Sequence, residues 1–270
     1  MNKLLPIAFL LCTTPLWAQE KYAFYLGSGT SIYYGDLSDT FTPSLLHGLT
    51  EIGGSIYFTP GIGLRSRLAF TRLSGADSLA LSTTKTDRNL SFRTAVSEIS
   101  CMGIWELRPD NEFSRRRKNA KPHFTPYITA GVALLYFDPK AYYNGEWIKL
   151  HPLGTEGQYI KKKDSPHAEP YSRVALAIPM AAGLSLRYAH HWGLSGEMSY
   201  RYCFSDYLDD VSARYPQRDA LLAAPNGITA VALSDRSRNG IFHSGSPRGN
   251  PKSKDSYFFF TIGLNYFIRA

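Results

Sequence analysis

Three aspartates close together, Asp206, Asp209 and Asp210, and three scattered histidines, His151, His167 and His243, are the residues of this chain best suited to proton transfer. A carboxylate beside an imidazole can orient the ring, and a serine within reach would complete a nucleophilic set. The distribution does not assemble one: no serine, histidine and acid fall on one face of a single extended run, and the histidines sit in separate polar stretches. The aspartates also offer oxygen atoms for calcium, but the Asp-x-Asp-x-Asp-Gly pattern of a calcium loop is missing. His190-His191 has no partner ligands nearby in sequence, and no helix follows Gly27-Ser28-Gly29 or Gly53-Gly54 to make a phosphate cradle. The expectation is a non-enzymatic protein with no cofactor and no metal, whose aspartates cap and turn loops.

A second set of charges has a different setting. Glu51, Arg65, Arg67, Glu98, Arg187, Glu197 and Arg201 lie within runs that alternate apolar residues with small or polar ones at period two. Such alternation marks a strand with one greasy and one wet face. It is most regular at the C-terminus, where Phe258, Phe260, Ile262, Leu264, Tyr266 and Ile268 alternate with Thr261, Gly263 and Asn265. Earlier runs follow the same rule: Tyr22, Phe24 and Leu26; Ile52, Gly54, Ile56 and Phe58; Leu64, Leu68 and Phe70; and a less regular one from about Leu90 to Leu107. Three more span Ile128–Tyr136, Val174–Tyr188 and Trp192–Phe204. The runs have the length of tilted membrane-spanning strands. An aromatic final strand would leave an adhesive edge in an open sheet, and a closed barrel removes that edge by pairing the last strand with the first. The fold class read here is all-β, a transmembrane antiparallel up-and-down barrel of eight strands with long extracellular loops. Eight strands leave an interior only wide enough for side chains, so the seven charges are expected to pair across the lumen and plug it.

Met1–Ala18 reads as a secretory signal peptide, with Lys3 ahead of an apolar run from Leu4 to Leu16, and residues 19–270 as one barrel domain. Export makes nucleic acid an unsuitable partner despite a formal net charge of +8. The natural surroundings are outer-membrane lipid and periplasmic protein. Cys101 and Cys203 fall on opposite faces of strands that are not neighbours, so both thiols are expected free.

With both termini in the periplasm, short turns at Thr59-Pro60-Gly61 and Ala189-His190-His191 face long outer loops at about 35–48, 74–89, 138–170 and 206–254. The third periplasmic connection is long and basic. Between Arg108 and His123 it carries six basic residues against Asp110 and Glu112. Arg115, Arg116, Arg117, Lys118 and Lys121 form a candidate surface for an acidic periplasmic partner through Arg–carboxylate pairs.

Two outer stretches are more specific than generic linker. One contains Asn144, Gly145, Glu146, Trp147 and then Gly154, Thr155, Glu156 and Gly157. The other contains Asp206, Asp209, Asp210, Asp235 and Arg236. With Gly35-Asp-Leu37, Arg72-Leu-Ser-Gly-Ala-Asp77 and Arg88-Asn-Leu-Ser-Phe-Arg93, this set resembles the PorG-like outer-membrane barrels of Bacteroidota that are associated with the type IX secretion system. The resemblance runs over nearly all of the mature chain. It implies an anchor or assembly component of that apparatus, bound to periplasmic ring or lipoprotein subunits. One departure is the C-terminus, where Ile268-Arg269-Ala270 follows Phe267 although such barrels often end on an aromatic residue. Two other classes stay open on the residues alone: a small passive channel and an outer-membrane hydrolase.

Overall fold

The computed structural model describes residues 21–109, 122–161, 169–188, 191–237 and 243–269. The signal-peptide segment and Arg115, Arg116, Arg117, Lys118 and Lys121 of the basic turn lie outside them. The described strands are β1 (Lys21–Tyr34), β2 (His47–Thr59), β3 (Ile62–Ala76), β4 (Ser91–Glu106), β5 (His123–Tyr143), β6 (Glu146–Lys149), β7 (Val174–Arg187), β8 (Trp192–Cys203) and β9 (Ser256–Arg269). Every pairing is antiparallel. The strand order β4-β3-β2-β1-β9-β8-β7-β5 closes on itself through β4–β5. The first and last strands meet along their whole length, from Lys21 opposite Arg269 to Tyr34 opposite Ser256. The result is a closed, eight-stranded antiparallel barrel, with β6 as an extension that pairs with β5 alone.

Alternation sorts the side chains as the period-two pattern demands. Phe24, Val132 and Ile262 are exposed on the outer wall, at 60%, 62% and 72% of their full accessibility. Glu51, Glu98, Arg67 and Arg201 point inward and are buried. Cys101 is exposed and Cys203 buried, on opposite faces of the wall. The wall thus presents a continuous apolar surface outside a polar lumen, which suits a hydrocarbon surround.

The lumen is layered. Around its middle lies the ionic set. Toward the end where β1 begins and β9 ends, Ala23, Tyr57, Ile104, Tyr127 and Phe267 pack together. Toward the loop end, Tyr33, Leu37, Leu49, Leu73, Phe92, Phe137, Tyr257 and Phe259 form an apolar plug. Lumen glycines make room for this filling: a Cβ on Gly263 would sit 2.1 Å from the Tyr25 ring.

The third outer loop begins later than the 138–170 expected from sequence. β5 is 21 residues long and continues past the barrel rim, turning back through Asn144 and Gly145 into β6. Both turn residues have positive φ, 50° and 90°, which is why Asn-Gly makes a two-residue hairpin whose twist matches its strands. Tyr142 and Trp147 then face each other at 5.4 Å, and the Arg93 guanidinium lies 3.9 Å over the Trp147 ring. The fourth loop, expected as plain connection, carries two short helices, α2 (Arg218–Leu222) and α3 (Gly227–Ser234); the second loop carries α1 (Thr83–Arg88).

The outward and inward faces of β9 make a direct test. Ile262→Arg places a charge on the outer wall near mid-strand, at a cost of about 2–4 kcal/mol in hydrocarbon. Asn265→Ala removes one lumen hydrogen bond, from its Nδ2 to Ser195 Oγ at 3.0 Å, worth about 1 kcal/mol. Urea titration of folding into lipid vesicles should rank Ile262→Arg as the more damaging; the reverse ranking would invert the faces of this strand.

Candidate functional site

The seven lumen charges singled out in the sequence come together, and the structure adds Glu106. Arg65 reaches Glu197 at 2.9 Å; Arg67 reaches Glu197 at 2.7 Å and Glu51 at 3.1 Å. Arg201 lies 3.4 Å from Glu98 and 3.6 Å from Glu51, and Arg187 lies 3.4 Å from Glu106. Aromatic groups complete the shell. The Arg67 guanidinium stacks 3.9 Å over Tyr25 and that of Arg201 3.8 Å over Phe259. Tyr127 and Tyr257 donate to Glu197 and Glu98 at 2.9 and 2.6 Å. Each charge is therefore both paired and hydrogen-bonded or stacked, the condition under which burial is tolerated. Chemically the arrangement is a lock: its carboxylates are engaged by guanidinium groups.

A second polar assembly caps the barrel. Glu156, fully buried, accepts from the backbone N–H of Ser212 at 2.9 Å and of Ala213 at 3.0 Å, and pairs with Arg248 at 3.1 Å. Arg248 also donates to the Asp210 carbonyl at 2.6 Å and the Ser234 carbonyl at 3.1 Å. The Arg88 fork grips Asp77 with two bonds of 2.7 Å and donates to the carbonyls of Arg248 and Asp36. Asp210, whose backbone is in the left-handed region at φ 66°, accepts hydrogen bonds from the hydroxyls of Thr155 at 2.5 Å and Tyr171 at 2.6 Å. All four loops of this end are tied together by buried bonds. Gly154 and Gly157 supply positive φ on either side of Thr155 and Glu156. Asp235 accepts from the Ser237 N–H at 2.9 Å, and Arg236 donates to Ser91 at 3.1 Å. Glu146 pairs through its backbone with Tyr143 to close the hairpin.

Within the cap one hydroxyl faces two acids. The Tyr33 Oη lies 2.7 Å from Asp209 and 2.5 Å from Asp255. A phenol has one proton to give, so one of the two carboxyls must hold a proton of its own to make the second bond. Burial pushes the pKa of both aspartates well above the usual range; Asp255 and Asp36 raise that of Asp209 further, Asp206 and Asp36 that of Asp255, and the bond from Tyr33 favours the charged form of each. Burial likewise pushes Asp206 up to about 7, against a bond from the Ser212 hydroxyl at 2.6 Å that favours its charged form. Burial also raises Glu156, and Arg248 pulls it back down.

The proton-transfer residues do not converge. His151 packs edge-on against Tyr171 at 4.8 Å and its Nε2 lies 3.0 Å from the Tyr171 carbonyl oxygen. His243 lines a separate groove of about 660 Å³ beside α2 and α3, floored by Leu221, Leu222, Ile228 and Val231. His167 lies outside the described residues. A serine does meet a histidine where His47 Nε2 approaches Ser74 Oγ to 2.7 Å, but the charged neighbours of that ring are Arg72 and Arg93, not an orienting carboxylate. Among the described residues no group of three or more His, Cys, Asp or Glu side chains is placed to hold a metal ion. Of the aspartates that suggested calcium, Asp209 serves a turn, its Oδ1 accepting the Val211 N–H at 2.9 Å, whereas Asp206 and Asp210 accept from side-chain hydroxyls of Ser212, Thr155 and Tyr171.

Sequence reasoning missed the roles of Arg88, Asp77, Arg248, Tyr33 and Asp255. The strings holding Asp77 and Arg88 stood out, but nothing local links Glu156 to an arginine 92 positions away.

A family model described as "Domain of unknown function (DUF6089)" matches residues 4–224. No curated protein matches the chain. Solved structures similar to it include Ail, the attachment invasion locus protein of Yersinia pestis, at 10% identity and a TM-score of 0.39 over 93% of this chain and 99% of that one. Neisserial surface protein A is similar at 9% and 0.42 over 91% and 96%. The outer membrane protein OprG of Pseudomonas aeruginosa is similar at 7% and 0.41 over 93% and 97%. Likeness at this level transfers neither an activity nor a partner.

Arg67→Met leaves Glu51 and Glu197 short of a buried cation and should destabilise the barrel by about 3–5 kcal/mol. Adding Glu51→Gln and Glu197→Gln should recover part of that loss; urea unfolding of the single and triple variants measures both. The cap should respond to pH in the opposite sense to an ordinary salt bridge. Because the Asp206 pKa is raised on folding, its stabilising contribution is whole below the ordinary aspartate range and is lost as pH rises through about 7. Protease nicking of the outer loops should therefore increase across that interval in the native protein. In Asp206→Asn this pH-dependent component should be much reduced; an unchanged profile would assign the transition to another group.

Proposed function

We propose, for a chain that belongs to the family described as a domain of unknown function (DUF6089), a non-catalytic role as a sealed outer-membrane barrel that works through its two ends. The observation that carries this reading is the filled lumen: an ionic layer between two layers of packed side chains leaves binding surfaces, rather than a pore, as the means of action. A rigid barrel with interlocked outer loops is suited to anchoring other proteins.

The assembly it serves, on the resemblance of its loop strings, is the type IX protein-secretion apparatus, with periplasmic ring or lipoprotein subunits as partners. The basic turn bearing Arg115, Arg116, Arg117, Lys118 and Lys121 is the contact surface that charge favours. Arginine–carboxylate pairs at an exposed surface would make that contact salt-sensitive. A passive channel is the weaker reading because eight strands enclose only side chains. A hydrolase is weaker still, since His151 and the acids of the cap are engaged in separate structural contacts and His243 lines a groove of its own.

Purified protein in planar bilayers should give no stepwise conductance. Pull-down from cross-linked outer membranes should recover periplasmic subunits. Changing Arg115, Arg116, Arg117 and Lys118 to Ser should reduce that recovery and cargo secretion while leaving the heat-modifiable gel mobility of the barrel intact. Full recovery of partners by this variant at both low and high salt would remove the basic turn from the interface.

A further inference from the structure

A groove of about 420 Å³ opens on the outer wall of the barrel at its loop end, lined by Tyr34, Tyr200, Tyr202, Lys252, Lys254 and Phe258. The strand register explains it. Ser256 of β9 stands between Tyr34 of β1 and Tyr202 of β8, and a serine flanked by two tyrosines leaves a notch in an otherwise aromatic surface. Its hydroxyl donates to the Tyr34 carbonyl at 3.2 Å, which fixes the floor. Two residues further along β9, Phe258 and Tyr200 close the lower end with ring centroids 5.0 Å apart.

Above the notch, the chain makes a defined turn. Ser253 N–H donates to the Asn250 carbonyl at 2.9 Å and Lys252 N–H to the Asn250 side-chain oxygen at 3.3 Å. The Lys254 ammonium rests 3.3 Å from the Pro251 carbonyl. Two ammonium groups are thereby carried over an aromatic hollow.

We propose that this groove binds one phosphate-bearing lipid of the surrounding membrane, with its phosphate between Lys252 and Lys254 and its acyl chain along Tyr200 and Phe258. The inference rests on the outer-membrane reading above. The occupant follows from the split chemistry of the groove. Its lower half is continuous with the exposed apolar wall, Phe260 and Ile262 following Phe258 down β9, so hydrocarbon is already its neighbour. Tyrosines mark the interfacial level of such walls. Its upper half is cationic, and lysines near a membrane surface attract anionic headgroups. A free phosphate would use only the upper half, and an uncharged lipid only the lower.

The test is native mass spectrometry of the intact barrel released from detergent micelles. The micelles are doped with phosphorylated lipid A, with the same lipid lacking phosphate, or with inorganic phosphate. The native protein should retain the phosphorylated lipid, and the Lys252→Gln, Lys254→Gln double variant should bind it roughly thirtyfold more weakly, at about 1 kcal/mol per lysine. Ser256→Leu, which fills the notch and leaves both lysines in place, should lose it as well. Equal retention of the phosphate-free lipid, inorganic phosphate bound as tightly as the lipid, or full binding by the double variant would overturn the proposal. Gel mobility reports folding of each variant. Membrane fractionation reports location, so a failure of the outer-membrane reading shows as a protein in the wrong fraction rather than as a missing adduct.

Discussion

A backbone N–H or C=O left without a partner in hydrocarbon costs several kcal/mol, and a strand presents a row of them. That cost governs this molecule. It obliges β1 to find β9, and the two meet in unbroken register from end to end. Once the sheet is closed with eight strands, its radius is set, and so is the narrow interior that side chains must fill. The aromatic outer wall, the plugged lumen and the short connections at Thr59-Pro60-Gly61 follow from one requirement, that no edge remain.

Closure transfers the difficulty inward. Strands whose outer face is apolar need an inner face, and charged residues there are permitted only in company. The lumen meets this with guanidinium groups shared between carboxylates and laid on tyrosine and phenylalanine rings. Glycines at 27, 183 and 263 are part of the same device, since a Cβ at any of them would strike the ring of Tyr25 or Tyr127. The outer loops solve a related problem differently. Too long to stay ordered as open connections, they bury their own carboxylates against Arg88 and Arg248 and turn into a lid that is part of the fold.

The barrel was legible in the sequence because lipid and lumen differ so much in polarity that every strand carries the contrast at period two. The seven lumen charges were legible for the same reason, as polar exceptions at the correct parity. Legibility fails where that contrast fades. At the loop end both faces are apolar, so Leu73, Phe137 and Phe259 gave no sign of a lumen layer. The length of β5 was hidden because its last residues continue past the barrel rim and answer to a hairpin turn instead. The loop cap was recognisable only as unusual strings. Its bonds join residues as distant as Tyr33 and Asp255, and no local rule encodes a partner that far along the chain.

The lumen ion pairs also say something about the order in which the chain can be put together. Among the described residues, Arg67–Glu51 joins neighbouring strands of the N-terminal half, whereas Arg65–Glu197, Arg67–Glu197, Arg201–Glu51, Arg201–Glu98 and Arg187–Glu106 each join β2–β4 to β7 or β8. Strands β1–β4 bring Arg65 and Arg67 against Glu51, Glu98 and Glu106; strands β5–β9 bring Arg187 and Arg201 against Glu197. Within the lumen network alone, the first half therefore contributes a surplus carboxylate and the second a surplus guanidinium. With most pairs spanning the two halves, the network cannot form within either alone. Satisfaction of the interior coincides with the moment the wall is sealed.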